Sequence, residues 1–319
     1  MAALKLRLAL EHYDRHLPLL EGKVVPEGID LQVEHVTVGE GRHERMLSHR
    51  EWDACELSLA SYIMAKARGA PLTAVPIFPR RLFSQSQIYV NMGTGVEEPR
   101  DLIGKKVGLR SFQTTLSVLA RGDLQHEYGV PLDQVTWVTS ADEPVPFDPP
   151  PGVRIERAPR DQNIETMLVE GEIQAYMVPR MPRPFVQGAL RVARLFKDPR
   201  AEELAYYQRN GFYPIMHVLA VKPEVIDLHP AVAMCLFDAF ERAKEIAFHY
   251  YDDPNWSHLA WAAHVLREER DALGAVAWAN GLARNRTNLE RFIQYEREQG
   301  LIDCRLEVED LFHETTHGT

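Results

Sequence analysis

Two stretches far apart in the chain, ERMLSHREWDACELS from Glu44 and ETMLVEGEIQAYMVP from Glu165, share Glu, Met-Leu, a later Glu and an Ala at matching offsets. Each reads as a helix leading into a strand, and each strand ends in a polar or Pro-rich loop. A weaker echo links KLRLALEHYDRH to KKVGLRSFQTT, both strands that run into a polar cluster before a helix. A chain that repeats strand and helix in this way is predicted to build two similar α/β lobes. Its 319 residues exceed what one core usually supports, in agreement with two lobes. The expected division is a discontinuous first lobe, residues 1–93 with 207–319 and the C-terminal helices, and a second lobe, residues 94–206. In open α/β sheets ligands bind outside the carboxyl ends of the strands, so an inter-lobe cleft is the expected site.

Short apolar or alternating runs predict strands at KLRLAL, IDLQVEHV, LTAVPIF and SQIYVN. GRHERMLSHR and SLASYIMAKARG predict helices, the second stopped by Gly69. Beyond residue 223 the pattern is almost wholly helical, with Val232, Leu236, Phe240 and Ala243 on one stripe. PVPFDPPPG, ending at Gly152, predicts a long surface loop.

The formal net charge of −10 disfavours a nucleic-acid surface but leaves room for a local basic pocket. Three scattered cysteines, Cys55, Cys235 and Cys304, fit reduced thiols better than a disulfide framework. The N-terminal LKLRLAL is too short and too charged for a signal-peptide core, and no run reaches the ~18 apolar residues of a membrane span. A cytoplasmic protein with no membrane partner is expected. There is no GxGxxG, GxxxxGK[ST] or GxSxG, so nucleotide and serine-hydrolase chemistry have no support.

Candidate functional residues cluster at predicted strand ends. Glu11–His16 places six ionisable or phenolic side chains in succession. His12 and Asp14 form an H-x-D pair that, with His217, could imitate a two-His-one-carboxylate metal set, although the spacing alone is a weak signal. Ser111 or Thr114 can cap a helix whose N-terminus suits an anion, with Arg110 and Gln113 alongside. Arg80 and Arg180, each beside prolines, suit a dianionic ligand, because a guanidinium grips a carboxylate with two parallel hydrogen bonds. His217 lies in an apolar strand, where a satisfied core histidine and a proton-transfer group are both open. His313 and His317 read as a solvated tail.

The segments HYDRHLPLLEGKVVPEGIDL, ACELSLASYIMAKARG, IFPRRLFSQSQIYVN, DLIGKKVGLRSFQTTLSVLARGDLQHEYGV and GFYPIMHVLAV resemble the 4,5-dihydroxyphthalate decarboxylase family. The likeness runs from about Leu4 to about Phe312. It implies a two-lobed α/β fold like that of type 2 periplasmic binding proteins, put to cytoplasmic use. By motif it carries over Tyr13, Asp14, Arg15, Ser58, Tyr62, Arg80, Ser84, Gln113, Thr114, Arg180 and His217. The implied activity is conversion of 4,5-dihydroxyphthalate to 3,4-dihydroxybenzoate and CO2, with no cofactor required and a bound divalent metal the lesser alternative. Asp14 or His12 is the expected base and His217 the expected acid. Arg80 and Arg180 would hold carboxylates, and Phe112 and Tyr213 would sandwich the ring. The expected partner is a small aromatic dicarboxylate, with a homo-oligomer left open. A non-catalytic solute-binding protein and a cofactor-biosynthesis enzyme on the same fold are the competing readings.

Overall fold

The computed structural model describes residues 3–274 and 277–319. Its strands are β1 (Leu4–Leu10), β2 (Ile29–His35), β3 (Ala54–Ser58), β4 (Thr73–Val75), β5 (Ile88–Asn91) and β6 (Lys106–Leu109). They continue with β7 (Thr136–Thr139), β8 (Arg154–Arg157), β9 (Ala175–Met177), β10 (Val192–Arg194) and β11 (His217–Val221). The helices are α1 (Leu17–Leu20), α2 (Arg42–His49), α3 (Leu59–Ala67), α4 (Thr115–His126), α5 (Ile164–Glu170) and α6 (Arg183–Val186). After them come α7 (Pro199–Asn210), α8 (Pro223–Leu228), α9 (Ala231–His249), α10 (Ala262–Leu273) and α11 (Leu282–Glu298). Among the described residues no helix is long and apolar enough to cross a membrane.

The chain divides into two compact units, residues 1–81, 217–289 and 306–319, and residues 82–216 with 290–305. This differs from the expected division at both crossings and at the C-terminal end. Residues 82–93 go to the second unit because β5 pairs there with β9 and β10. Residues 290–305 join it because the end of α11 packs on α4. A Cβ on Gly122 would lie 2.1 Å from the Tyr295 ring, so only glycine permits this approach. Arg121 adds hydrogen bonds to Gln299 at 2.6 and 3.0 Å.

The first sheet has the order β2-β1-β3-β11-β4 and the second β10-β5-β9-β6-β7-β8. In the first, β1 runs parallel to β2 and β3, and β11 is antiparallel to β3. In the second, β6 runs parallel to β7 and β9, and β5 is antiparallel to β9. Thus β2-β1-β3-β11 corresponds to β7-β6-β9-β5, with α2 before β3 and α5 before β9. The sequence echo is a topological repeat. Its shared alanines, Ala54 and Ala175, occupy the same place, opposite Leu8 of β1 and Val107 of β6.

Each sheet is buried against its helices. Leu6, Leu8 and Leu10 of β1 pack with Val232, Leu236, Phe240 and Ala243 of α9, the stripe predicted from helical spacing. In the second unit Ile164, Met167 and Leu168 of α5 pack with Tyr89 and Tyr176. Two strands are shorter than predicted. Pro76 cannot donate to a ladder and follows β4 directly, and a 3-10 turn at Gln85–Gln87 delays β5. Residues 144–152 form no helix or strand, as the proline content predicts, although Val145 in that loop is buried.

Candidate active site

β3 is buried at all five positions, and Glu56 is its one charged residue. β11 runs antiparallel beside it with His217 opposite Ser58. Glu56 lies two residues from Ser58, so it and His217 are diagonal neighbours on one face of the sheet. Their side chains meet there, with His217 Nδ1 2.5 Å from Glu56 Oε1. Because β1 and β3 are parallel neighbours, the chain leaving β1 passes the same carboxylate. The Glu11 backbone N–H donates to Glu56 Oε2 at 3.0 Å, and the Tyr13 hydroxyl donates to Oε1 at 3.1 Å. The start of α2 adds Arg42, fully buried, with Nη2 3.2 Å from Glu56 Oε1 and Nη1 donating to the Val36 carbonyl at 2.7 Å. It also adds His43, whose ring stands perpendicular to that of His217 with centroids 5.1 Å apart.

Burial alone would raise the Glu56 carboxyl, but the His217 hydrogen bond and charge, Arg42 and the Glu11 N–H hold it well below the usual carboxylate range. An ionised Glu56 can only accept, so His217 donates from Nδ1 and keeps a lone pair on Nε2. Burial lowers the His217 pKa against the raising effect of Glu56, and the Arg80 and Arg42 charges lower it further. Burial, then the neighbouring His217 and Arg42, hold His43 well below the ordinary imidazole value. Burial, followed by the Glu56 charge, raises the Tyr13 hydroxyl and keeps it a donor. Half-buried Arg80 sends its backbone carbonyl to the His217 N–H at 3.2 Å, and its charge acts on Tyr13, His43 and His217. Together these groups form a neutral histidine held by an ionised carboxylate beside a cation, which can take up a proton and hand it on.

Of the residues singled out in the sequence, His217, Tyr13 and Arg80 therefore meet in the first unit, with Ser58 on the strand beside them. Ser58 caps α3, accepting from the Ser61 N–H at 3.4 Å. His12, Asp14 and Arg15 of the Glu11–His16 run face elsewhere. His12 is exposed and stacks on His35 at 3.9 Å. Asp14 accepts from the Tyr251 hydroxyl at 2.5 Å and the Arg15 N–H at 2.7 Å. Arg15 spans the Tyr13 and Trp278 rings, 4.1 and 4.2 Å from their centroids, and bonds the Pro79 carbonyl. Tyr62 is fully buried, with its hydroxyl on the Leu311 carbonyl. Among the described residues, no group of three or more His, Cys, Asp or Glu is arranged to hold a metal ion.

Ser84, Phe112, Gln113, Thr114, Arg180 and Tyr213 fall in the second unit. Ser84 donates to Asp123 at 2.6 Å. Gln113 bonds the Val145 backbone twice, at 2.6 and 3.0 Å, and the Thr114 hydroxyl lies 2.9 Å from that of Ser111. The Phe112 ring, expected to stack on a substrate, is fully buried with Phe147 stacked at 5.3 Å and the Arg121 guanidinium 3.5 Å from its centroid. Tyr213 stacks on Phe83 at 4.5 Å, and Arg180 is exposed.

Glu56, Arg42 and His43 were not singled out, yet one signal pointed to the first. In the internal repeat Glu56 stands where the second copy has Met177. The C-terminal His313-Glu-Thr-Thr-His317 run also differs from its reading as a solvated tail. It has H-E-x-x-H spacing but lies on a 3-10 turn rather than an α-helix, with Thr316 fully buried. His317 Nε2 is 3.2 Å from the Glu309 and Phe312 carbonyls, and His313 Nδ1 is 3.0 Å from the Thr315 hydroxyl.

The 4,5-dihydroxyphthalate decarboxylase of Comamonas testosteroni is 34% identical to this chain over 322 aligned positions, covering 98% of the chain and 97% of that protein. The chain belongs to the 4,5-dihydroxyphthalate decarboxylase family. The Pseudomonas putida decarboxylase of that name is 35% identical, over 66% of this chain and 84% of its own. Residues 26–145 match the NMT1/THI5-like family. Solved structures place the family's architecture among periplasmic solute-binding proteins. The alkanesulfonate-binding protein SsuA from Xanthomonas axonopodis pv. citri, bound to MOPS, superposes with a TM-score of 0.57 at 12% identity, over 98% of both chains. The Escherichia coli aliphatic sulphonate-binding protein SsuA gives 0.55 at 13%, over 99% of both. The desulfurization enzyme DSZB gives 0.53 at 16%, over 99% of this chain and 98% of its own.

Proposed function

We propose that this protein decarboxylates a hydroxylated aromatic dicarboxylate, converting 4,5-dihydroxyphthalate to 3,4-dihydroxybenzoate and CO2. The observation that supports this most is the buried Glu56–His217 pair beside Arg80 in a member of the decarboxylase family. An aryl carboxylate loses CO2 reluctantly, because the electron pair of the broken bond would be stranded on an sp2 carbon. A hydroxyl para to it opens another route. Its ionisation, with the proton released to solvent, raises electron density at the carboxylate-bearing carbon, which takes a proton, and the phenolate recovers a proton from solvent at the end. The C–C bond then breaks, its electrons restore aromaticity, and CO2 departs. One proton replaces one CO2.

His217 is assigned that proton. In its neutral form it binds Glu56 through Nδ1 and offers Nε2. Once protonated there it is an imidazolium stabilised by Glu56, an acid able to serve the ring carbon. Positioned proton transfer of this kind contributes roughly 10²–10⁴-fold. Arg80 is assigned the spectator carboxylate, since strong pairing with the departing one would stabilise the ground state. Asp14 and His12, bonded to Tyr251 and stacked on His35, are given no proton-transfer role.

The test is CO2 release from 4,5-dihydroxyphthalate, with deuterium at the vacated ring carbon when the reaction runs in deuterated water. Tight binding without CO2 release would instead indicate a solute-binding protein. Arg80→Ala should weaken phthalate binding by roughly 2–4 kcal/mol if the guanidinium makes a desolvated pair with a carboxylate. An unchanged dissociation constant would remove Arg80 from the site.

A further inference from the structure

The first turn of α2 delivers consecutive side chains to the two members of the Glu56–His217 pair. The chain enters it through a tight turn in which the Thr37 N–H donates to the Glu40 side chain at 2.7 Å. Gly41 follows with φ 76°, a conformation in which a Cβ is strained. From there Arg42 reaches Glu56, and His43 packs on His217 with the two rings perpendicular and their centroids 5.1 Å apart. Edge-to-face contact of this kind is one of the arrangements that ring pairs favour.

Arg42 balances the Glu56 charge, whereas His43 has no task in the proton route. Its Nε2 is shut off from solvent and has no hydrogen-bond partner among the described residues. Neither water nor a protein group passes a proton through that nitrogen. Burial first, and then the His217 and Arg42 charges, hold the His43 pKa well below the ordinary imidazole value, so the ring stays neutral. The internal repeat gives the position a different use. With Glu44 aligned on Glu165, His43 falls on Ile164, which is buried and packs with Met167 and Leu168 in the second core. The position is a packing slot in both units, and in the first a ring lies there against His217.

We propose that His43 is a positioning residue, whose ring holds His217 with Nδ1 on Glu56 and keeps water from it while taking no proton itself. The Glu56 hydrogen bond fixes His217 at one nitrogen and leaves the ring free to turn about that bond. A perpendicular ring beside it blocks the turn, and misplacing a reacting group by about 1 Å can cost 10²-fold in rate. The charged and titratable groups around His217 are Glu56 on β3, Arg42 and His43 on α2, and Arg80 beyond β4. Burial is the foremost influence lowering the His217 pKa, so opening the slot to water raises it. The inference rests on the proton-transfer task proposed above for His217, but the contact between the rings does not.

The test compares wild type with His43→Ala and with His43→Phe, which keeps a ring and removes both nitrogens. His43→Ala is expected to lower kcat for CO2 release roughly tenfold, with the dissociation constant for phthalate within about threefold. The alkaline limb of its kcat/KM profile should move to higher pH, as the His217 pKa rises. His43→Phe is expected to restore kcat to within about threefold of wild type and to return the limb to its place. Equal losses in His43→Ala and His43→Phe would show that the imidazole nitrogens are needed and would overturn the inference, as would wild-type kcat in His43→Ala. Should His43→Ala fail to fold, His43→Val fills part of the slot without a ring and carries the same expectation. The His217 Nδ1 proton, followed by NMR in the ligand-free protein, separates this inference from the proposed function. A signal sharp in wild type and His43→Phe but lost in His43→Ala, in a protein that releases no CO2, would keep the positioning role and discard the decarboxylase. The same signal in all three proteins, with CO2 released, would discard the positioning role alone.

Discussion

Glu56→Gln is expected to reduce kcat by about 10²–10⁴-fold, the range of a positioned proton transfer. Glutamine can still accept the Nδ1–H of His217, but it supplies no charge to stabilise the imidazolium. The pH profile should move as well, in a direction the local charges dictate. Glu56 raises the His217 pKa against burial, Arg80 and Arg42. Without it the His217 pKa falls further, so the alkaline limb of kcat/KM, which reports loss of the protonated imidazole that serves the ring carbon, should shift to lower pH. The substitution also takes the nearer of two carboxylates from fully buried Arg42, which keeps Glu11 at 3.7 Å and the Val36 carbonyl, so the cost lies below the roughly 3–5 kcal/mol of a buried charge left without any partner. Thermal unfolding of the variant therefore has to accompany its kinetics. Unchanged turnover with an unmoved alkaline limb would show that Glu56 serves packing only.

The second large effect lies in the other unit. Asp123 is 1% exposed and accepts hydroxyl hydrogen bonds from Ser84 at 2.6 Å and from Tyr206 and Tyr295 at 3.2 Å each. It thereby ties α4 to α7, to the end of α11 and to the chain just past the first crossing. Burial pushes its carboxyl up to about 7, against the three hydroxyl donors and with the Glu127 charge adding to the rise. An acid whose folded pKa is raised stabilises the fold when protonated. That stability is complete below its ordinary value of 3.8 and is lost as the pH climbs to about 7. At 1.36 kcal/mol per pH unit the loss is roughly 4 kcal/mol. Asp123→Asn should flatten this dependence, and the difference between wild-type and variant melting curves from pH 4 to pH 8 measures it. Parallel curves would mean that Asp123 is ionised throughout.

Much of this architecture was legible in the chain because periodicity reports burial. The alternation in β1 and the stripe on α9 each face one core, so their spacing survives folding unchanged. The echo between residues 44–58 and 165–179 was legible for a stronger reason, since both copies serve the same place in equivalent sheets. The crossings were harder. β5 takes its partners from residues far along the chain, and the close contact of Gly122 with Tyr295 that recruits residues 290–305 leaves no local trace. At the candidate site the sequence marked polar density at Glu11–His16, but only the Glu11 backbone and Tyr13 reach Glu56, while His12 turns outward. Aromatic residues were the least legible. Phe112 and Tyr62 carry composition suited to a ligand, and both are spent on the protein interior. Glu56 was the converse case, a carboxylate inside ACELS, where a buried strand normally reads as an unbroken apolar run.

The central claim is that His217 moves the proton that replaces CO2, and one paired measurement addresses it directly. kcat for CO2 release from 4,5-dihydroxyphthalate and the dissociation constant for phthalate are determined on the same preparations of wild type and His217→Asn. The account predicts a fall in kcat of at least ~10²-fold with the dissociation constant within about threefold, the pattern of an interaction lost only in the transition state. Wild-type turnover in His217→Asn, or equal losses explained wholly by weaker binding, would contradict it.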